Sequence, residues 1–297
     1  MSRAWQEQRE RGTLGALRLI AAITNGVGYR AGRALLYPIS LYFAVFSTRS
    51  RAASRAFLAR ALGRAPRWRE IFHHYHTFAS TLLDRIDILS GRVGRFDITM
   101  HGREAVEAAL RDGRGCLLFG AHVGSFELVR ALADDHRAVV VSVVMHEANA
   151  DMIGRWAREM APDLAARIIA PGQVGTFLRV QECLARGEAV AMLADRPVGA
   201  RVTKQAAFFD SPAEFPVGPF QVALTLGVPV VLFFGLYRGA RCYDIHFETF
   251  ERGSKVHRAE QAEVLDRMIE RYAQRLEAYA RRYPWNWFNF YDFWRRE

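Results

Sequence analysis

Between residues 96 and 250, short apolar runs alternate with stretches whose apolar positions recur every three to four residues. The first kind reads as strand and the second as helix. The pattern predicts strands over 96–100, 116–119, 139–144, 168–169, 189–193 and 229–236. Helices are predicted between them over 104–111, 127–133, 149–160, 174–186 and 217–226. A long loop over 194–215 interrupts the rhythm, and 243–250 alternates as an edge strand does. The last pattern, 258–282, is amphipathic and helical, with Val264, Leu265, Met268, Ile269, Tyr272, Leu276 and Tyr279 on one side. Such alternation predicts an α/β fold, a mixed, mainly parallel sheet flanked by helices.

Ahead of residue 93 the apolar spacing is helical. Residues 13–24 and 34–47 are the most apolar, but neither reaches the ~20 residues of an ordinary spanning helix. Flanked by Arg30, Arg33, Arg49 and Arg51, the second reads as an interfacial or deeply embedded anchor. A buried helix of a soluble domain is the rival reading. Residues 49–92 are basic, with Phe57, Leu58, Leu62, Ile71, Phe78, Leu82 and Ile86 as the inner face. His73, His74 and His76 lie here without a nearby cysteine, and a solvated or interfacial helix accounts for them better than a metal cluster. The chain thus divides into a membrane-associated helical region, 1–92, and an α/β domain, 93–297, that ends in a helix and an aromatic tail. That tail, 283–294, either packs as a lid on the core, the favoured reading, or sits at a membrane interface, since such aromatic density is rarely left in water.

Charge narrows the partners. Lys plus Arg number 41 against 31 Asp plus Glu, a formal charge of +10, and lysine occurs only at Lys204 and Lys255. A basic surface suits anionic lipid head groups, an acidic protein or nucleic acid. No nucleic-acid-binding module accompanies it, which ranks that class last. Cys116, Cys183 and Cys242 form neither a disulfide framework nor a zinc spacing, which points to a reducing compartment. The first twelve residues are strongly charged and no cleavable signal pattern follows them.

One stretch carries chemistry. Gly120-Ala121-His122-Val123-Gly124-Ser125-Phe126-Glu127 follows the 116–119 strand and precedes a helix. It is a strand-to-helix turn at the carboxyl edge of a parallel sheet, where open α/β folds hold ligands. Gly124 lets the turn fold back, so Glu127 is expected to reach one nitrogen of His122 and leave the other free to accept a proton. Ser125 is a candidate N-cap and a weak rival nucleophile. No G-x-S-x-G elbow is present.

Gly-Ala-His-x-Gly-x-x-Glu resembles the H-x4-D/E signature of the lysophospholipid acyltransferase superfamily, in its branch of Kdo-lipid A lauroyl and myristoyl acyltransferases. Leu193-Ala194-Asp195-Arg196, Phe208-Phe209-Asp210-Ser211-Pro212-Ala213 and the 215–234 region agree in order and type. The resemblance therefore spans nearly the whole chain. It implies a glycerolipid acyltransferase-like domain with N-terminal membrane-associated helices at the cytoplasmic face of a bacterial inner membrane. The implied reaction moves an acyl group from a thioester, of acyl carrier protein or else of CoA, to a hydroxyl of a lipid or glycolipid, without cofactor or metal.

The resemblance also implies roles. His122 is the general base and Glu127 its orienter, while Asp195 and Arg196, after the 189–193 strand, line the acceptor side. Arg155 and Arg158 lie where the family carries a functional arginine, although a solvated helix face explains them equally. Gly218, at a helix start, lets backbone amides approach an anionic head group. Arg196 stands for the family's Gln, Asp210 for a Gly and Val217 for an acid, which leaves the acceptor open. Those departures motivate a rival reading, a lipid-binding or scaffold protein of the same fold without turnover. The tail resembles that of acyltransferases found with aryl-polyene-type lipid pathways.

Overall fold

A computed structural model describes residues 28–89, 92–128, 139–145, 167–171, 175–196 and 202–294. Among the described residues three helices come first: α1 (Tyr29–Phe46), α2 (Thr48–Leu62) and α3 (Trp68–Leu89). Then follow β1 (Asp97–His101), α4 (Arg103–Leu110), β2 (Cys116–Gly120), β3 (Val141–Val144), β4 (Ile168–Ile169), α5 (Thr176–Ala185) and β5 (Ala189–Leu193). The chain continues with β6 (Thr203–Phe208), β7 (Ser211–Pro216), α6 (Gly218–Leu226), β8 (Val230–Gly239), β9 (Cys242–Glu251) and α7 (Gln261–Arg282).

Seven strands form one sheet in the order β1-β9-β8-β2-β5-β3-β4. Neighbours run parallel except β8 and β9, which are antiparallel. The mixed, mainly parallel sheet flanked by helices is as the periodicity predicts. Central β2 is buried at every position, as its unbroken Cys-Leu-Leu-Phe-Gly run requires of a strand covered on both faces.

Two expectations fail. The 243–250 segment is not an edge strand, because β9 returns beside β8 and is then paired by β1, which takes the edge. Nor is 194–215 a long loop. Within it, β6 and β7 pair antiparallel through a two-residue turn, Phe209-Asp210, with φ of 53° and 57°. A hairpin turn of this shape needs positive φ at both central positions. Asp visits that conformation more readily than most residues other than Gly, so Asp210 serves as a turn residue.

The histidines of 49–92, expected on a solvated or interfacial helix, are divided: His73 is exposed, whereas His74 and His76 are buried. Helix α1 packs Gly32, Leu36, Ser40 and Ala44 inward, and turns Tyr37, Leu41, Tyr42, Val45 and Phe46 outward. His74 is fully buried between α2, α3 and the tail. Its Nε2 donates to the Trp287 carbonyl at 3.0 Å, which leaves Nδ1 to accept from the Ser54 hydroxyl at 2.8 Å. No helix among the described residues is long and apolar enough to cross a membrane. The 13–24 segment lies outside the described residues.

Amphipathic α7 buries Leu265, Met268, Ile269, Tyr272, Leu276 and Tyr279 against the sheet and the hairpin. Each apolar side chain of this size contributes roughly 1.5–3 kcal/mol when taken out of water. The tail then folds back as expected of a lid, with Trp287 wholly buried among Phe57, Phe208 and Phe293.

Candidate active site

The register of two neighbouring strands builds the site. Gly120 of β2 lies opposite Leu193 of β5, and the strands are parallel. His122 and Asp195 therefore each stand two residues past an in-register pair, at the carboxyl edge where the backbones diverge. His122 Nδ1 lies 2.8 Å from Asp195 Oδ1, and the His122 backbone N–H donates to Asp195 Oδ2 at 3.0 Å. Asp195 is fully buried whereas the His122 side chain keeps 29 % of its exposure.

This corrects the expected wiring. Asp195, and not Glu127, holds the His122 ring. Glu127 sits in a short 3-10 turn, Phe126–Leu128. Its Oε1 pairs with Arg85 Nη2 of α3 at 2.5 Å, and its Oε2 accepts from the Ser125 hydroxyl at 3.2 Å. It reaches His122 only through its charge, which favours the imidazolium form. Ser125 is buried and spends its hydroxyl on Glu127, a poor arrangement for a nucleophile and not that of an N-cap.

Electrostatics set the protonation states. Burial, and next the Arg196 charge, push the His122 pKa below its ordinary value, against the upward pull of Asp195. Burial alone would push the Asp195 carboxyl up, but the charge and hydrogen bonds of His122, with Arg196 behind them, hold it at about 2. At neutral pH the pair is a neutral imidazole on a carboxylate. With Nδ1 facing the carboxylate, that tautomer leaves Nε2 with its lone pair. No partner of Nε2 is found among the described residues.

Gly124 is required by geometry. Its φ is 63°, and a Cβ there would stand 1.8 Å from the carbonyl oxygen of Gly235 in β8. The close approach lets Ser125 N–H donate to Gly235 O at 2.7 Å, which locks the turn to the sheet. On its other side the turn pairs with the tail. Gly124 N–H donates to Asn286 O at 2.7 Å and Phe288 N–H to His122 O at 2.9 Å.

The tail supplies groups that the motif search missed. Trp287 Nε1 donates to Asp195 Oδ2 at 3.3 Å, and Asn286 bridges to β8 through both Tyr237 backbone groups. The tail's aromatic density and its resemblance to the tails of related acyltransferases mark it in the sequence, but neither ties it to Asp195. Arg196, expected on the acceptor side, is 9 % exposed; it donates to the Phe288 carbonyl, lies over the Tyr291 ring and stands 4.0 Å from Asp195. These contacts hold the tail and set a positive charge beside the dyad. Gly218 begins α6 on the surface with nothing within 4 Å of where a Cβ would be, and nothing among the described residues ties it to the dyad. Arg155 and Arg158 lie outside the described residues.

A buried carboxylate holding an imidazole whose Nε2 has no partner among the described residues, at the carboxyl edge of a sheet, is an arrangement that can accept a proton, and no side-chain nucleophile is hydrogen-bonded to that ring among the described residues. A model of the family described as bacterial lipid A biosynthesis acyltransferase matches residues 14–296. No curated protein matches the chain.

Proposed function

The chain belongs to the bacterial lipid A biosynthesis acyltransferase family and is an acyltransferase; from that premise we propose that His122 is the general base for transfer of a fatty acyl group from a thioester to a hydroxyl of a lipid or glycolipid. The donor is acyl carrier protein, whose acidic surface would meet the arginine-rich one, with acyl-CoA the alternative for the test to resolve. Nε2 takes the hydroxyl proton as the oxygen attacks the thioester carbonyl carbon. Collapse of the tetrahedral intermediate breaks the C–S bond, and the imidazolium returns the proton to the departing sulfur. The observation that carries this reading is the His122–Asp195 contact at 2.8 Å, between a buried carboxylate and a partly open imidazole.

Asp195 orients the ring, Glu127 with Arg85 supplies charge at second remove, and Arg196 fixes the tail. Within the family, the motif blocks favour the lauroyl and myristoyl branch, and the tail favours the aryl-polyene-associated group. Residues 1–92 form the membrane-facing part and 93–297 the α/β acyltransferase domain. The outward apolar face of α1 supports a protein that lies on the cytoplasmic surface of the inner membrane.

Acyl transfer from a panel of acyl carrier protein and CoA thioesters into bacterial lipid extract, read by mass spectrometry, tests the reading. A new acylated lipid that is lost in His122→Ala and Asp195→Asn is the expected result. Undiminished transfer in His122→Ala would remove the base. Lipid binding without transfer from any donor would favour the scaffold reading.

A further inference from the structure

A second group of side chains gathers on the far side of β8. His101 closes edge strand β1, and Asp244 and His246 stand two apart on β9. Because β1 and β9 are parallel and in register, His101 lies directly opposite His246. Strand periodicity puts Asp244 on the same face. A ring nitrogen from each histidine and a carboxylate oxygen of Asp244 all lie within 4.8 Å of one another. The two imidazoles stack at 4.6 Å, and His101 Nε2 is 3.8 Å from Asp244 Oδ1.

We infer that His101, Asp244 and His246 bind a divalent transition-metal ion of the zinc, cobalt or nickel class, which ties the edge strand to the sheet. Two imidazoles and one carboxylate suit such borderline metals better than the all-oxygen sites of calcium or magnesium. Ligands at roughly 2.0–2.2 Å from a tetrahedral ion stand about 3.3–3.5 Å apart, a contraction that side-chain rotation supplies. His246 carries an independent mark. Its Nε2 is buried and has no hydrogen-bond partner among the described residues, and a native orphan of that kind is commonly explained by a water or an ion. The His101 side chain is half exposed, so an ion and a completing water have a path in.

Arg238 is the competitor. Its Nη1 holds Asp244 Oδ1 at 2.8 Å, from a side chain that is itself half exposed. Metal binding displaces or shares that contact, so removing Arg238 strengthens the site. A clipped β1 is also protected, since an edge strand offers unpaired backbone groups to other chains.

The test uses the full chain with metal alone. Cobalt(II) absorption and zinc titration calorimetry should give saturable binding at one equivalent, and zinc should raise the melting temperature, as any ligand of the native state does. His101→Gln, an exposed change that leaves the fold intact, and His246→Gln should each weaken binding about tenfold or more. Arg238→Gln should strengthen it. Binding of equal affinity and spectrum in wild type and His101→Gln would overturn the proposal, as would no binding to wild type.

Discussion

Trp287 gives its indole N–H to Asp195 Oδ2, the same oxygen that receives the backbone N–H of His122. The carboxylate is thus gripped from two sides, by the turn that carries the base and by a tail residue 92 positions away. A buried carboxylate with such partners has little freedom to rotate, so its other oxygen stays aimed at Nδ1.

Trp287→Phe tests that grip. An aromatic ring remains, with some packing lost, but the donor is gone, and a hydrogen bond to a charged group is worth roughly 1.5–3 kcal/mol. We expect kcat to fall by about tenfold or more, with KM changed less. Steady-state kinetics on the purified enzyme, set beside its melting curve, separates this from unfolding.

The pH profile should report the dyad. His122 is held below its ordinary pKa by burial and then by Arg196. The base therefore stays unprotonated to lower pH, and the acid limb of kcat/KM should lie below about 6.5. Arg196→Gln removes a positive charge that disfavours the imidazolium, so the limb should move upward. A limb that does not move would detach Arg196 from the dyad.

His74 predicts a stability effect of known sign. Burial drives its pKa down to about 4, while the unfolded chain takes up the proton near 6.5. The unfolded state therefore binds more protons between those values, and stability falls as pH drops from 6.5 toward 4, by roughly 3 kcal/mol at most. Asp84, raised to about 6 chiefly by burial, acts in the opposite sense. Urea unfolding at pH 7 and pH 4.5 should show a smaller pH-dependent loss in His74→Gln than in wild type.

The outward face of α1 should bind lipid. Tyr42 and Phe46 are exposed, the helix contains no acid, and Arg49 and Arg51 follow it. Each aromatic buried in the interface contributes roughly 1.5–3 kcal/mol, so the Tyr42→Asp, Phe46→Asp double variant should lose about tenfold or more in binding to anionic phospholipid vesicles. Flotation assays on both proteins would measure it, and equal flotation would take α1 off the membrane.

How far the sequence could be read depended on distance along the chain. The apolar runs of β2 and β5 were plain, and His122 and Asp195 were both placed after strands at a carboxyl edge. Their pairing was missed because a nearer acid, Glu127, offered itself. Only the strand register shows that Asp195 is adjacent and that Glu127 belongs to Arg85, 42 positions back in the chain. The 203–216 hairpin was hidden by a Phe-Asp turn where Gly or Asn would have announced it. That β9 lies inside the sheet follows from β1 pairing with it, a non-local choice that strand periodicity does not encode.

The pairing of the tail with the His122 turn also sets an order of assembly. His122, Gly124 and Asp195 leave the ribosome long before Asn286, Trp287 and Phe288, so the turn and its carboxylate must wait, half-built, for that later strip of chain to close over them. A message cut short within that strip would yield a sheet with all its strands and an unfinished reaction centre.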